Sequence, residues 1–287
     1  MTKKTTKKSF FQHLSQGFAI LFSNLLIFLP VLAVIAFIDS KILHAALSLQ
    51  GLDPTQSILS GSDPAAQSKL LSLAFTHMGL ILTSKAIIGP AFSILVVIFS
   101  RATILKQDLS IGKAFNFLLK RYPKVFIPYL LAMLSIQIGS VILIPGIFFM
   151  MQFAFVDSVA TLEQEKHVLS RSTRLTRTRR QTLVFLIVPY LLMGQFIPLG
   201  ELAYSANLGA LMGINMAYET LLLILLSTFY SLYHERIILI AEKKSRKTAT
   251  KERAEESEDP KEETIETHED LEEAIRDEEA NENQEQA

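Results

Sequence analysis

Residues 120–166 read KRYPKVFIPYLLAMLSIQIGSVILIPGIFFMMQFAFVDSVATLEQEK, and the number of times this stretch crosses a membrane decides the fold. Lys120, Arg121 and Lys124 open it and Lys166 closes it. Between them lie two apolar runs, 125–143 and 147–162, joined at Pro145-Gly146 with no Lys or Arg at the joint. A helix needs about 20 mostly apolar residues to cross a ~30 Å hydrocarbon core. Lipid offers backbone groups no hydrogen bonds, so runs of this kind must be helical. One bent span over 125–162 would put the flanking basic clusters on opposite sides. Two spans with a turn at Pro145-Gly146 put them on the same side, as the positive-inside rule requires.

The same rhythm continues outward. Apolar runs give six spans, at about 22–39, 72–100, 125–143, 147–162, 182–199 and 212–236. Basic residues gather in every second connection. They are Lys3, Lys4, Lys7 and Lys8; then Arg101, Lys106, Lys113, Lys120, Arg121 and Lys124; then Lys166, Arg171, Arg174, Arg177, Arg179 and Arg180; then Arg236, Lys243, Lys244, Arg246 and Lys247. The other side holds Lys41 and Lys69. The expected fold is an all-α, polytopic six-helix bundle in a bacterial inner membrane, with both termini cytoplasmic. The Lys-rich start imitates a signal peptide, but no clear small-x-small cleavage site follows, so the first span is read as retained. The fourth span is short, about 24 Å by helical rise. It must continue into a polar turn or thin the bilayer.

Composition supports a membrane body. The chain is 49% hydrophobic with zero formal net charge, and the zero hides a separation. Residues 251–287 hold 17 of the 28 acidic and four of the 28 basic residues, which leaves 24 basic against 11 acidic before them. A membrane domain, 1–241, is therefore followed by a cytoplasmic tail, 242–287. Its basic start, Lys243–Lys247, suits anionic headgroups. Its acidic remainder lacks the apolar content to build a core, so disorder is expected. The absence of Cys excludes disulfides, thiolate metal sites and Cys nucleophiles. No Walker loop, nucleophile elbow, HExxH or metal-spaced ligand set occurs, so no catalysis, cofactor, metal or nucleic-acid partner is expected.

The cytoplasmic connections have helical periodicity of their own. Phe10, Phe11, Leu14, Phe18, Leu21 and Phe22 oppose His13, Gln16 and the Lys tail. Ile111, Ala114, Phe115 and Leu118 oppose Lys113, Asn116 and Lys120, and Leu162, Val168, Leu169 and Leu175 make a weaker third set. Such segments are expected to lie in the interface as amphipathic helices. Each precedes a span with an early proline, Pro30, Pro128 or Pro189, so one unit of interfacial helix, outgoing span and returning span is read three times.

Four short motifs carry a family resemblance: Ile111-Gly112-Lys113-Ala114, Pro123-Lys124-Val125-Phe126, Ile144-Pro145-Gly146-Ile147 and Arg171-Ser172-x-Arg174-Leu175-Thr176. Together, over about 85–190, the chain resembles the membrane domain fused to some bacterial glycerophosphodiester phosphodiesterases and the YciC-type inner-membrane proteins of Gram-negative bacteria. The resemblance implies a six-helix bundle engaged in envelope or lipid work. The phosphodiesterase members have a separate catalytic barrel of about 250 residues. No such barrel is present here, so the hydrolase activity does not carry over.

Several residues are candidate sites. Arg171, Arg174, Arg177, Arg179 and Arg180 form the densest charge cluster. They read either as anionic-lipid contacts through guanidinium forks or as a topology signal with general surface attraction. Lys85, Asn215 and Glu219 are the polar groups deepest in the spans, with Asn215 one turn from Glu219 on the same face. A Lys85–Glu219 pair reads either as a transport or proton-relay element or as a structural ion pair. Asp157 is placed near the end of the fourth span, where it could pair with Arg174. Tyr230, Ser231 and His234 make a polar stripe. Gly209, Gly213 and Ala217 give small-xxx-small spacing for close helix packing, within the monomer or at a dimer seam.

The leading expectation is a non-enzymatic multi-pass inner-membrane protein in envelope or lipid homeostasis or scaffolding. Its partners would be membrane lipids, with anionic headgroups on the cytoplasmic side, and a membrane protein or a second copy of itself. The alternative is a small-solute or proton-coupled transporter, which needs a water-accessible path to Lys85, Asn215 and Glu219.

Overall fold

Ser9 opens the first helix with a capping box: its hydroxyl accepts from Gln12 N at 3.4 Å, and Gln12 Oε1 accepts from Ser9 N at 2.8 Å. The computed structural model describes residues 9–49, 64–140, 143–163, 166–203 and 207–255, and among these it is all-helical. The elements are α1 (Phe10–Ser23), α2 (Leu25–Leu49), α3 (Pro64–Leu105), α4 (Ile111–Ser140), α5 (Leu143–Phe153), α6 (Val156–Leu162), α7 (Val168–Thr176), α8 (Arg180–Ala203) and α9 (Leu208–Glu255), with a 3-10 turn over Arg177–Arg179. The chain divides into two compact units. One is Ser9–Ser231; the described part of the other is the C-terminal half of α9 from Leu232.

Among the described residues, four helices are long and apolar enough to cross a membrane: Leu25–Leu49, Phe75–Leu105, Ile144–Leu162 and Leu208–Ser245. The expected spans 125–143 and 182–199 fall mainly within α4 and α8.

Several boundaries differ from the sequence reading. The first span was expected to end at 39, but α2 runs on to Leu49, because Leu43, Ala46 and Leu47 continue its buried face beyond Asp39. Residues 110–121 and 125–143 were read as separate helices; α4 joins them, with Pro123 and Pro128 inside it. Pro145-Gly146 is not the turn. Both lie in the first turn of α5, where proline is tolerated because its missing N–H has no helical partner there. A Cβ on Gly139 would run into the Phe149 ring and the backbone of Pro145 and Gly146, so the small residues serve a close crossing of α4 and α5. The tail was expected to be disordered from 242, yet α9 stays helical to Glu255. Its Glu, Lys, Arg and Ala content is that of a good helix former. The acidic stretch 256–287 lies outside the described residues.

The fourth span contains a break the sequence did not announce. Helices α5 and α6 are separated at Ala154–Phe155. Ser172 of α7 repairs the break, donating to Gln152 O at 2.8 Å and accepting from Phe155 N at 3.2 Å.

Helix α1 packs its polar face and part of its apolar face against the bundle. His13, Gly17, Ile20 and Leu21 are buried, while Phe11, Phe18 and Phe22 are exposed. A Cβ on Gly17 would strike the Thr228 hydroxyl and the Ile224 carbonyl, so the α1 backbone lies directly on α9. His13 Nδ1 is 2.8 Å from Ser231 Oγ, and Ser231 Oγ donates to Gln16 Oε1 at 2.5 Å. Since the serine proton is committed to Gln16, Nδ1 is the donor to Ser231. Polar groups inward and phenylalanines outward suit an apolar exterior.

Replacing Ser172 by alanine leaves the Phe155 N–H and the Gln152 carbonyl without their partner. The variant should lose about 1–3 kcal/mol of stability, read as a lower midpoint of thermal unfolding in detergent micelles. An unchanged midpoint would show that the break needs no repair.

Candidate functional site

Helices α2, α3 and α9 build a layered interior. One apolar layer contains Phe28, Leu32, Phe92, Val96 and Leu223; the other contains Leu43, Leu47, Leu73 and Leu211. Between them on each helix sits a polar residue: Asp39 on α2, Lys85 on α3, Glu219 on α9. Lys85 Nζ donates to Asp39 Oδ2 at 2.8 Å and to Glu219 Oε1 at 2.5 Å. One turn from Glu219, Asn215 Nδ2 donates to Ser40 Oγ at 3.2 Å, and Ser40 donates to Ala36 O at 2.7 Å. Asp39 Oδ1 and His77 Nε2 are buried without a hydrogen-bond partner.

The three helices place this layer at one depth. At the helical rise, Asp39 lies about 15 Å from Leu49, Lys85 about 15 Å from Phe75 and Glu219 about 16 Å from Leu208. The opposite helix ends, Leu25, Leu105 and Ser245, lie about 21, 30 and 39 Å away, so the layer crosses the three helices nearer one end than the other.

A cavity of about 70 Å³ adjoins the layer. Lys85 and Glu219 face it from one end, and Ser93, Tyr129 and Asp157 line it too, with apolar walls that include Ile35, Phe92 and Leu222. Ser93 is the hydrogen-bond partner of Asp157. A Cβ on Gly89 would strike the Tyr129 hydroxyl and ring, so the missing side chain is what lets Tyr129 lie across α3. Pro90 follows directly. In the turn before it, Tyr122 donates to Ile87 O at 2.8 Å.

The sequence-selected residues divide three ways. Lys85, Asn215 and Glu219 come together in the polar layer. The arginines differ in exposure: Arg171 is buried and bonded through Nε to Glu163 Oε2 at 3.1 Å, Arg174 and Arg179 are half-buried, and Arg177 and Arg180 are exposed. Gly209, Gly213 and Ala217 are exposed, and a Cβ on Gly213 would meet nothing within 4 Å, so this stripe makes no close helix contact among the described residues. Asp157 faces the cavity with Ser93, not Arg174, as its partner. Asp39, Ser93 and Tyr129 were missed. Asp39 was hidden because its charge was taken to end the span. The apolar spacing of Leu43, Ala46 and Leu47 after it was the available signal.

No protein-family model, curated protein or solved structure matches the chain.

Removing one member of a buried ionic set is far more damaging than removing all of it. Lys85→Met leaves two carboxylates facing each other and should lower stability by about 3–5 kcal/mol. The triple variant Lys85→Met, Asp39→Asn, Glu219→Gln should regain most of that loss. Thermal unfolding in micelles reads both. Equal midpoints for wild type and Lys85→Met would mean the bridge contributes nothing.

Proposed function

We propose that the chain is an inner-membrane protein of six spans, formed by α2, α3, α4, α5 with α6, α8 and α9, that moves protons through the bundle interior in support of carrying a small solute. The observation that carries this reading is Lys85 held between Asp39 and Glu219, each about 15 Å inside its apolar helix. Charge at that depth is expensive, and such residues normally mark ion or proton pathways. An apolar trio of similar volume would avoid the cost of burying three charges. A bridge with one cation and two anions also has two states. A proton on Glu219 would release Lys85 to Asp39 alone, and loss of that proton would restore the bridge.

The resemblance to the YciC-type proteins puts lipid work first, and the polar layer with its adjoining cavity reverses that order. A second reading, a non-enzymatic protein acting on or within the lipid phase, keeps one specific support: α1 presents Phe11, Phe18 and Phe22 outward. Such a face lodges at the headgroup boundary, beside anionic lipid.

Two measurements test the proposal. The chain has no Cys, so single cysteines at exposed Gln107 and Arg177 report topology cleanly. Six spans predict that an impermeant thiol reagent labels both from the cytoplasmic side; labelling from opposite sides would remove a span. In liposomes under an imposed pH gradient, the full chain should speed proton entry above the protein-free rate, and Glu219→Gln should return it to that rate. Flux in Glu219→Gln equal to wild type would overturn the proton reading.

A further inference from the structure

Asp157 sits on α6, a different element from the three that form the bridge, yet it lines the same cavity as Glu219. The groups facing that space are few. Lys85 and Ser93 come from α3, Tyr129 from α4 and Glu219 from α9. Nearby, α8 contributes Tyr190, stacked on Tyr218 with ring centroids 5.2 Å apart, and Asp39 and His77 lie on the far side of Lys85. From α7, which packs on α6, Arg171 is committed to Glu163.

The two carboxylates of the cavity therefore differ in kind. Glu219 is bonded to an ammonium, whose positive charge favours the carboxylate form. Asp157 has the Ser93 hydroxyl as its hydrogen-bond partner, a hydroxyl that also reaches Pro90 O at 3.2 Å, and the Tyr129 hydroxyl lines the same cavity. A hydroxyl can donate to a carboxylate or accept from a carboxylic acid, so Ser93 suits Asp157 in either protonation state. We infer that Asp157 is a second proton station, which loads a proton and passes it across the cavity to Glu219. The inference rests on the proton-coupled reading above.

The step balances. A proton leaves a carboxyl oxygen of Asp157 and arrives on a carboxylate oxygen of Glu219. Asp157 becomes the carboxylate, the charge in the cavity is unchanged, and Lys85 keeps Asp39 as its anion. Ser93 lies about 12 Å along α3 from Lys85, beyond the roughly 3 Å reach of direct proton transfer. Something must span the gap. The Tyr129 hydroxyl crosses α3 at Gly89, midway between Lys85 and Ser93, and can accept one proton while giving up another. The cavity also has room for a few water molecules, each taking about 30 Å³ in the liquid.

The test is infrared spectroscopy of the full chain in lipid, following carboxyl bands through a pH titration and through exchange into heavy water. Beside the titration of the other acidic residues, the wild type should show one carboxyl band that is lost in Glu219→Gln and another that is lost in Asp157→Asn. Exchange at Glu219 should slow by about 100-fold in Asp157→Asn. Asp157→Glu should restore exchange and move its pH midpoint, which a merely structural role would not do. Ser93→Ala, with the carboxyl intact, should move that midpoint as well, and it carries the test if Asp157→Asn fails to fold. Unchanged exchange at Glu219 in Asp157→Asn, or an unmoved midpoint in both Asp157→Glu and Ser93→Ala, overturns the inference and leaves the proton reading standing. A Glu219 band that neither titrates nor exchanges in the wild type overturns the proton reading itself.

Discussion

The bridge from Lys85 to Asp39 and Glu219 fixes the arrangement of the bundle. Apolar helix faces in lipid carry little information about register, because a lipid tail is as good a neighbour as a leucine. Sliding one helix by a turn would exchange one set of leucines for another at small cost. Sliding any of α2, α3 or α9 would strand a charge in an apolar layer. The bridge therefore sets the relative height of three helices, and the Asn215–Ser40 bond one turn away repeats the constraint. The apolar layers on either side add packing.

The same logic runs through the other polar contacts. A buried polar group in a membrane has no solvent to fall back on, so it needs a partner supplied by the protein. Ser172 meets that need at the gap between α5 and α6. Asn24, at the end of α1, donates to Ile20 O at 2.8 Å and to Thr103 Oγ1 at 2.9 Å. His13 and Gln16 turn toward Ser231 for the same reason, and that is why the phenylalanines of α1 face outward. In water this orientation would be inverted. The end of α3 is closed by the backbone itself: Gln107 N reaches Ala102 O at 2.9 Å and Lys106 takes a φ of 53°, a left-handed helix cap with lysine in glycine's usual place.

What the sequence disclosed follows from what periodicity and charge can encode. Apolar runs located the helices, since length and composition are local properties. Depth along a run singled out Lys85 and Glu219, because both are ionisable residues with apolar neighbours on each side. Asp39 has the same property, but it was used as a boundary marker, and a single charge can either end a span or sit inside one. Only the residues after it distinguish the cases. Tyr129, and the Ser93 partner of Asp157, were illegible for a different reason. Their partners lie on other helices, and no spacing within one helix reports which neighbour will face it. Arg171 shows the reverse error. Five arginines within ten residues look like one surface, yet the 3.6-residue period of α7 points one of them inward to Glu163.

The choice of lysine at the centre bears on whether the bridge is a clamp or a switch. A guanidinium presents a rigid planar fork that would lock onto one carboxylate through two parallel bonds. An ammonium is a point charge with three donors on a flexible stem, and it can serve two carboxylates from one position or shift toward either. A structure that needed only a permanent clamp would be better served by arginine, or by no charge at all. Lysine between two acids, with Asp39 keeping one oxygen unpartnered, is an arrangement that can be redistributed. A proton on Glu219 would still leave the ammonium an anion beside it in Asp39. Two carboxylates on Lys85 thus let one of them change without exposing a bare cation to the apolar interior.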